Sequence, residues 1–64
     1  MLASTEILTP EQVADELHVT RRTVVALCTG GKLQAFRVGR YWRVPRISVE
    51  RYIAEAVGRA SDAA

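Results

Sequence analysis

A single cysteine, Cys28, and a single histidine, His18, stand in a chain of 64 residues. One cysteine excludes an intrachain disulfide, and one Cys with one His is too small a ligand set for a zinc site. No apolar run approaches the ~20 residues of a membrane span, so no membrane partner is expected. The opening Met1-Leu2-Ala3-Ser4-Thr5-Glu6 has neither a basic region nor a long apolar one, which is not the pattern of a secretory signal. No nucleophile–base pair, metal set or phosphate-binding loop can be assembled from these residues. The expectation is therefore a protein that is not an enzyme, carries no cofactor and answers to no small-molecule effector. A reducing cytoplasm suits such a chain.

Charge of one sign is missing from two long stretches. Residues 1–19 hold Glu6, Glu11, Asp15 and Glu16 and no Lys or Arg. Residues 20–46 hold Arg21, Arg22, Lys32, Arg37, Arg40, Arg43 and Arg46 and no acid. The net charge of only +2 conceals this segregation. A solvated basic face is the plain reading of such a block. Seven cations with no intervening anion point instead to a polyanion, and nucleic acid is the obvious one.

The composition is that of one small domain, with 48% hydrophobic residues. A chain this short buries only ~60% of its unfolded surface, so the core must be lean. Thr9-Pro10-Glu11-Gln12 reads as a helix start. Thr9 and Gln12 have capping-box spacing, Pro10 fits the first helical position, and Glu11 complements the dipole. Val13, Ala14 and Leu17 make the apolar stripe. After His18-Val19, Thr20 offers a second N-cap, and Val24, Leu27 and Cys28 follow at helical spacing until Gly30-Gly31. Two short helices joined by a tight turn form a helix-turn-helix, whose second helix leads into a DNA major groove with its N-terminus. Thr20, Arg21, Arg22 and Thr23 lie there. Two cations at a helix N-terminus oppose its dipole, a penalty that a phosphate or guanine edge would remove.

Beyond Lys32-Leu33 the apolar period changes to two. Phe36, Val38, Trp42 and Val44 flank a tip at Gly39-Arg40-Tyr41. A two-residue turn would set Arg37 opposite Trp42 and mix charged with apolar side chains. A three-residue tip sets Val38 opposite Trp42 and Phe36 opposite Val44, gathers all four apolar residues on one face, and sends Arg37 and Arg43 to the other. The second register is the expectation. Pro45 ends the strand. A last helix is expected from about Arg46 to Val57, with Val49, Tyr52, Ile53 and Val57 buried, followed by a frayed tail. The expected organisation is an arm over residues 1–8, a domain over 9–57 and a flexible tail over 58–64.

"LTPEQVADELHVTRRTV", "GKLQAFRVGRYWRVPR" and "VERYI" together resemble the excisionase-type helix-turn-helix family, small relatives of the MerR-like winged-helix proteins. The resemblance spans residues 8–53, and its most specific parts are Gly31-Lys32-Leu33 and residues 37–45. It implies a mainly α fold, a winged helix-turn-helix with three helices and one two-stranded antiparallel wing. It also implies that the hairpin is a wing whose arginines reach a minor groove or flanking phosphates. The chain departs from the family pattern at His18, where glycine is usual, and at Val25 and Ala26, where an aromatic and a basic residue are usual. Charged residues are also common where Thr29 and Gly30 stand. Val25 and Ala26 are open to three readings: thymine-methyl contacts, a protein contact, or filler.

Trp42 reads as a core anchor rather than a stacking platform, Cys28 as a small buried hydrophobe, and His18 as a turn residue rather than a switch. The expected DNA-binding residues are Thr20, Arg21, Arg22, Thr23, Lys32, Arg37, Arg40, Tyr41 and Arg43. Arg46 fits either the last helix's start or a phosphate. The resemblance implies a double-stranded DNA-binding protein of a bacterial host's cytoplasm and nucleoid. It would be a phage or prophage excisionase that binds tandem sites, bends DNA and directs an integrase, with integrase and neighbouring copies of itself as partners. A small transcriptional repressor of the same fold is the alternative, and a protein-interaction module that offers its basic block to an acidic partner is a third reading.

Overall fold

The computed structural model describes residues 6–63, with side chains through residue 59. Its elements in order are β1 (Ile7–Leu8), α1 (Pro10–Leu17), α2 (Arg21–Thr29), β2 (Phe36–Val38), β3 (Tyr41–Pro45) and α3 (Arg46–Ala63). Three helices and a wing-like hairpin make the winged helix-turn-helix expected, with one addition. Ile7–Leu8 pair with β3, so the sheet has three strands in the order β1-β3-β2. Part of the expected arm is thus a strand, and residues 1–5 of that arm lie outside the described residues.

The helix starts are built as their sequences dictate. Thr9 Oγ1 accepts from the Gln12 N–H at 3.1 Å, and Gln12 Oε1 accepts from the Thr9 N–H at 2.9 Å, a complete capping box. Thr20 Oγ1 accepts from the Thr23 N–H at 3.2 Å. Between the helices His18 adopts the left-handed conformation, φ 59° and ψ 44°. The Val19 N–H then reaches back to the Ala14 carbonyl at 3.0 Å, the long bond of a Schellman turn. The turn therefore needs the backbone that glycine adopts without cost, and a histidine supplies it. Gly31 provides the other left-handed step, after α2.

The core is lean and drawn from every layer: Leu8, Val13, Ala14, Val24, Cys28, Leu33, Val44 and Val49. Burial pushes the Cys28 thiol pKa up, so it stays protonated and acts as a small hydrophobe. One guanidinium ties the edges of this core together. Arg46 Nε donates to Glu6 at 2.6 Å, and its Nη1 and Nη2 donate to the two oxygens of Glu16 at 3.1 and 2.7 Å. The Arg46 N–H also donates to the Glu6 carbonyl at 3.0 Å. The residue before β1, the end of α1 and the start of α3 thus share one residue. Of its two expected placements, Arg46 thus takes the one at the start of α3, as a structural clamp.

The wing corrects the expected register. Phe36 faces Arg43, Arg37 faces Trp42, and Val38 faces Tyr41, so the turn has two residues, Gly39 and Arg40. Gly39 has φ 63°, and a positive φ at the first central residue alone is the signature of a II′ turn. The three-residue tip expected from the sequence rests on separating arginine from tryptophan. That premise fails here: the Arg37 guanidinium lies 5.2 Å from the Trp42 ring centre. A cation over an indole face is attracted to it, so the pairing is not a mismatch. The core row of the sheet is Leu8, Val44 and Trp42, with Trp42 only partly buried against the core. Phe36 falls on the opposite face and is 44% exposed. Arg37 and Arg43 accordingly project from opposite faces rather than one.

The last helix is longer than expected. It runs through Gly58 to Ala63, because Ala54, Ala56, Ala60 and Ala63 sustain it around a single glycine. Its apolar stripe is buried only at its start. Val49 is 1% exposed and Tyr52 is partly buried, but Ile53 and Val57 are 41% and 60% exposed. The helix outruns the small core beneath it.

Candidate nucleic-acid interface

The nine expected DNA-binding residues fall into two groups and a link. Thr20, Arg21, Arg22 and Thr23 form the cap and first turn of α2. Arg37, Arg40, Tyr41 and Arg43 belong to the wing, and Lys32 lies on the segment between. All of these side chains are exposed except that of Arg43, which is partly covered. No hydrogen bond or ion pair joins the two groups among the described residues.

Within the first group the threonines are tied to each other. Thr20 Oγ1 and Thr23 Oγ1 are 2.9 Å apart, one hydroxyl donating to the other. Arg21 is tied to α1: its Nε donates to Glu11 Oε2 at 2.7 Å, with side chains 59% and 62% exposed. The Glu11 carboxyl titrates below its usual range. Its own backbone N–H is the main cause and the Arg21 guanidinium the next. Glu11 is the site residue that sequence reading missed. Its signal was present only as opposite charge on two helices that the turn brings side by side.

In the wing, Arg43 Nη1 donates to the Trp42 carbonyl at 2.7 Å and its guanidinium stands 5.7 Å from the Tyr41 ring centre. Arg40 sits in the turn itself, beside Gly39. Stacking on aromatics holds Arg37 and Arg43 in place without consuming their charge, since neither meets a carboxylate among the described residues. Two of the seven cations of residues 20–46, Arg21 and Arg46, are paired with acids of the N-terminal stretch. Arg22, Lys32, Arg37, Arg40 and Arg43 have no such partner among the described residues. Among the described residues the acidic and basic blocks thus meet only at the helix starts and ends, and Arg22 of α2 and the arginines of the wing stay unpaired with acids.

A capped helix with a cationic first turn, set behind a tight left-handed turn and followed by a basic hairpin, is the arrangement of a winged helix-turn-helix. Residues 7–57 match a family model described as a helix-turn-helix domain. The chain belongs to the helix-turn-helix domain family. That is a DNA-binding family, and the match takes in β1, α1, α2, the wing and most of α3. The chain is also 33% identical over 57 residues to a "Probable excisionase" of Saccharopolyspora erythraea. The alignment takes in 89% of this chain and 58% of that relative, so the chain spans little more than half of the relative's length. The resemblance to excisionase-type helix-turn-helix proteins read from the sequence therefore holds. No solved structure matches the chain.

Proposed function

We propose that this helix-turn-helix protein binds duplex DNA as an excisionase, a factor that occupies tandem sites, bends DNA and steers an integrase towards excision. The observation that carries the DNA-binding half is the distribution of charge. Acids of α1 neutralise Arg21 and Arg46, whereas Arg22 at the start of α2, Lys32 on the segment that follows and Arg37, Arg40 and Arg43 of the wing meet no acid among the described residues. The start of α2 enters the major groove, with Arg22 on phosphate. The wing straddles the backbone, with Arg40 and Tyr41 at the adjacent minor groove and Arg37 and Arg43 reaching phosphates on either side of the ribbon. Lys32 adds a further phosphate contact. The similarity to a protein named as a probable excisionase supports the second half.

One short helix and one wing read roughly a single helical turn, too little for selectivity against a genome unless several copies bind together. Direct repeats filled head-to-tail supply those copies, and wings wedged into successive minor grooves bend the duplex. The test is a titration of duplexes carrying one, two and three direct repeats, followed by anisotropy and by mobility-based bending. With Arg22, Lys32, Arg37 and Arg43 on phosphate, log K falls against log salt with a slope of about −3.6, at ~0.9 per contact. Flat salt dependence removes DNA binding. A two-fold dimer on an inverted repeat without a bend replaces the excisionase with a repressor.

A further inference from the structure

Two adjacent arginines at the start of α2 are held differently. Arg22 meets no carboxylate among the described residues, whereas Arg21 is bound by Glu11 from the other helix. The bond is made by the inner nitrogen, Nε, to one carboxylate oxygen at 2.7 Å. It leaves both terminal Nη groups of Arg21 without a hydrogen-bond partner among the described residues. Glu11 is itself well anchored. It sits in the first turn of α1 between Thr9 and Gln12, whose reciprocal hydrogen bonds fix that turn, and the next residues, Val13 and Ala14, are buried.

A guanidinium can offer a pair of parallel donors along its Nε side or across its Nη end. With Nε occupied, only the end-on pair remains, and that pair matches the O6 and N7 acceptors of guanine in the major groove. A phosphate contact has no need of such aim, because charge alone attracts it from any direction. An arginine side chain also loses much rotamer freedom when it is fixed on a base, and an arginine already held loses less. We propose that Glu11 is a positioning residue that aims Arg21 end-on at a guanine, so that Arg21 reads sequence while Arg22 supplies charge. This assignment rests on the DNA-binding reading above. It places specificity in a contact between the two helices, one of whose members never touches DNA.

The experiment begins with the whole chain and a pool of random duplexes, from which the preferred site is selected. Affinities for that site and for a scrambled duplex are then compared for the wild type, Glu11→Ala, Glu11→Gln, Arg21→Ala, Arg21→Lys and the double alanine variant. Glu11→Ala is expected to cut the preference for the selected site roughly tenfold, as Arg21→Ala does, within the range of a lost bidentate base contact. The double variant loses no more than Arg21→Ala alone. Glu11→Gln, whose amide oxygen still accepts from Nε, keeps most of the preference. Arg21→Lys leaves α1 untouched and keeps the charge but not the fork. It loses the preference as Arg21→Ala does but, with its charge kept, loses less affinity for scrambled DNA than Arg21→Ala, which keeps the test valid should Glu11→Ala lose its helical circular-dichroism signal. The positioning role is overturned if Glu11→Ala tightens both duplexes alike and steepens the salt slope, which would make Glu11 a mask over Arg21. It is equally overturned if the preference is unchanged. A wild type that binds no duplex overturns the DNA-binding reading itself, before any variant is measured.

Discussion

The starts of α1 and α2 are the same device carrying different residues. Each has a threonine N-cap in extended conformation, φ −82° and ψ 159° at Thr9, φ −80° and ψ 157° at Thr20. Each threonine accepts from the N–H three residues on, and each helix places a valine one residue later, Val13 and Val24, both 0% exposed. The two starts part company on the exposed positions between cap and valine. The first reads Pro10-Glu11-Gln12, every residue suited to a helix N-terminus. The second reads Arg21-Arg22-Thr23, with two cations against the dipole and no reciprocal cap. Where packing decides, the helices agree. On the exposed positions one start follows helix stability and the other departs from it, and the DNA contact proposed for Arg22 rests on that departure.

The sharpest way to test this contrast is to give the second start the charge of the first. Arg22→Glu is expected to weaken binding to any duplex at moderate salt by about 100-fold, because a cation on phosphate becomes an anion facing one. The same change should raise the stability of the free protein by ~0.3–1 kcal/mol, since an acid in the first turn suits the helix dipole. Anisotropy titration and a thermal melt of one preparation read both. Affinity and stability falling together would mean that Arg22 supports the fold, and the contrast would be lost.

The shared half of the comparison makes an equal prediction for both helices. Val13→Ala and Val24→Ala each delete two methyl groups from fully buried sites and are expected to cost about 2 kcal/mol apiece, at ~0.8 kcal/mol per methylene plus a small cavity. A domain this small holds only ~3–5 kcal/mol in total, so each variant should show a clearly lowered melting temperature and a shallower folded baseline. A large inequality between the two would show that one helix bears most of the core.

These elements also mark how far the sequence could be read. The left-handed backbone at His18 carries no local signal and appears only in the structure, whereas both caps and the bounds of α1 and α2 follow from local chemistry, because threonine, proline and glycine signals act within a few residues. The wing register did not, since it was argued from a hydrophobic pattern that Arg37 breaks by stacking on Trp42. Period-two logic treats charge as something to separate from an aromatic face, and the geometry of a guanidinium allows the reverse. Strand β1 was invisible for another reason. Two residues, Ile7 and Leu8, carry no period, and they pair with Val44 and Pro45 far along the chain. The basic block was legible as a block, but not which cations were already spoken for. Glu11 and Glu16 reach Arg21 and Arg46 only once the helices are packed.

The caps offer a smaller difference. Thr20→Ala removes one acceptor for the Thr23 N–H and is expected to cost about 1 kcal/mol. Thr9→Ala removes the same kind of bond and also frees Gln12 from the fixed turn that lets it cap the Thr9 N–H, so its cost should lie towards ~2 kcal/mol. Chemical denaturation with a common m-value checks this. Equal costs would mean that the reciprocal bond of the box adds nothing.

The smallest effect concerns the acids that reach across from the N-terminal stretch. Glu11 and Glu16 both titrate below the usual carboxylate range. The causes are first its own backbone N–H and then Arg21 for Glu11, and the bonded Arg46 guanidinium for Glu16. A carboxyl whose folded pKa is depressed adds stability that is present above its unfolded value, about 4.3, and is lost as pH falls through the folded value. The melting temperature should therefore be level above about pH 5 and decline as the pH is lowered further. The two acids need not contribute alike. Glu16 holds Arg46 with both oxygens, and those side chains are 39% and 28% exposed, whereas Glu11 makes one bond to an arginine and both are about 60% exposed. Solvent and salt screen the second pair more than the first. Glu16→Gln is thus expected to flatten the acid limb of the melting curve more than Glu11→Gln, with the gap narrowing as salt is raised. If Glu11→Gln flattens it more, the junction between the two helix starts holds the fold as firmly as the Arg46 clamp, and the exposed first turn of α2 is bound into the stability of the domain.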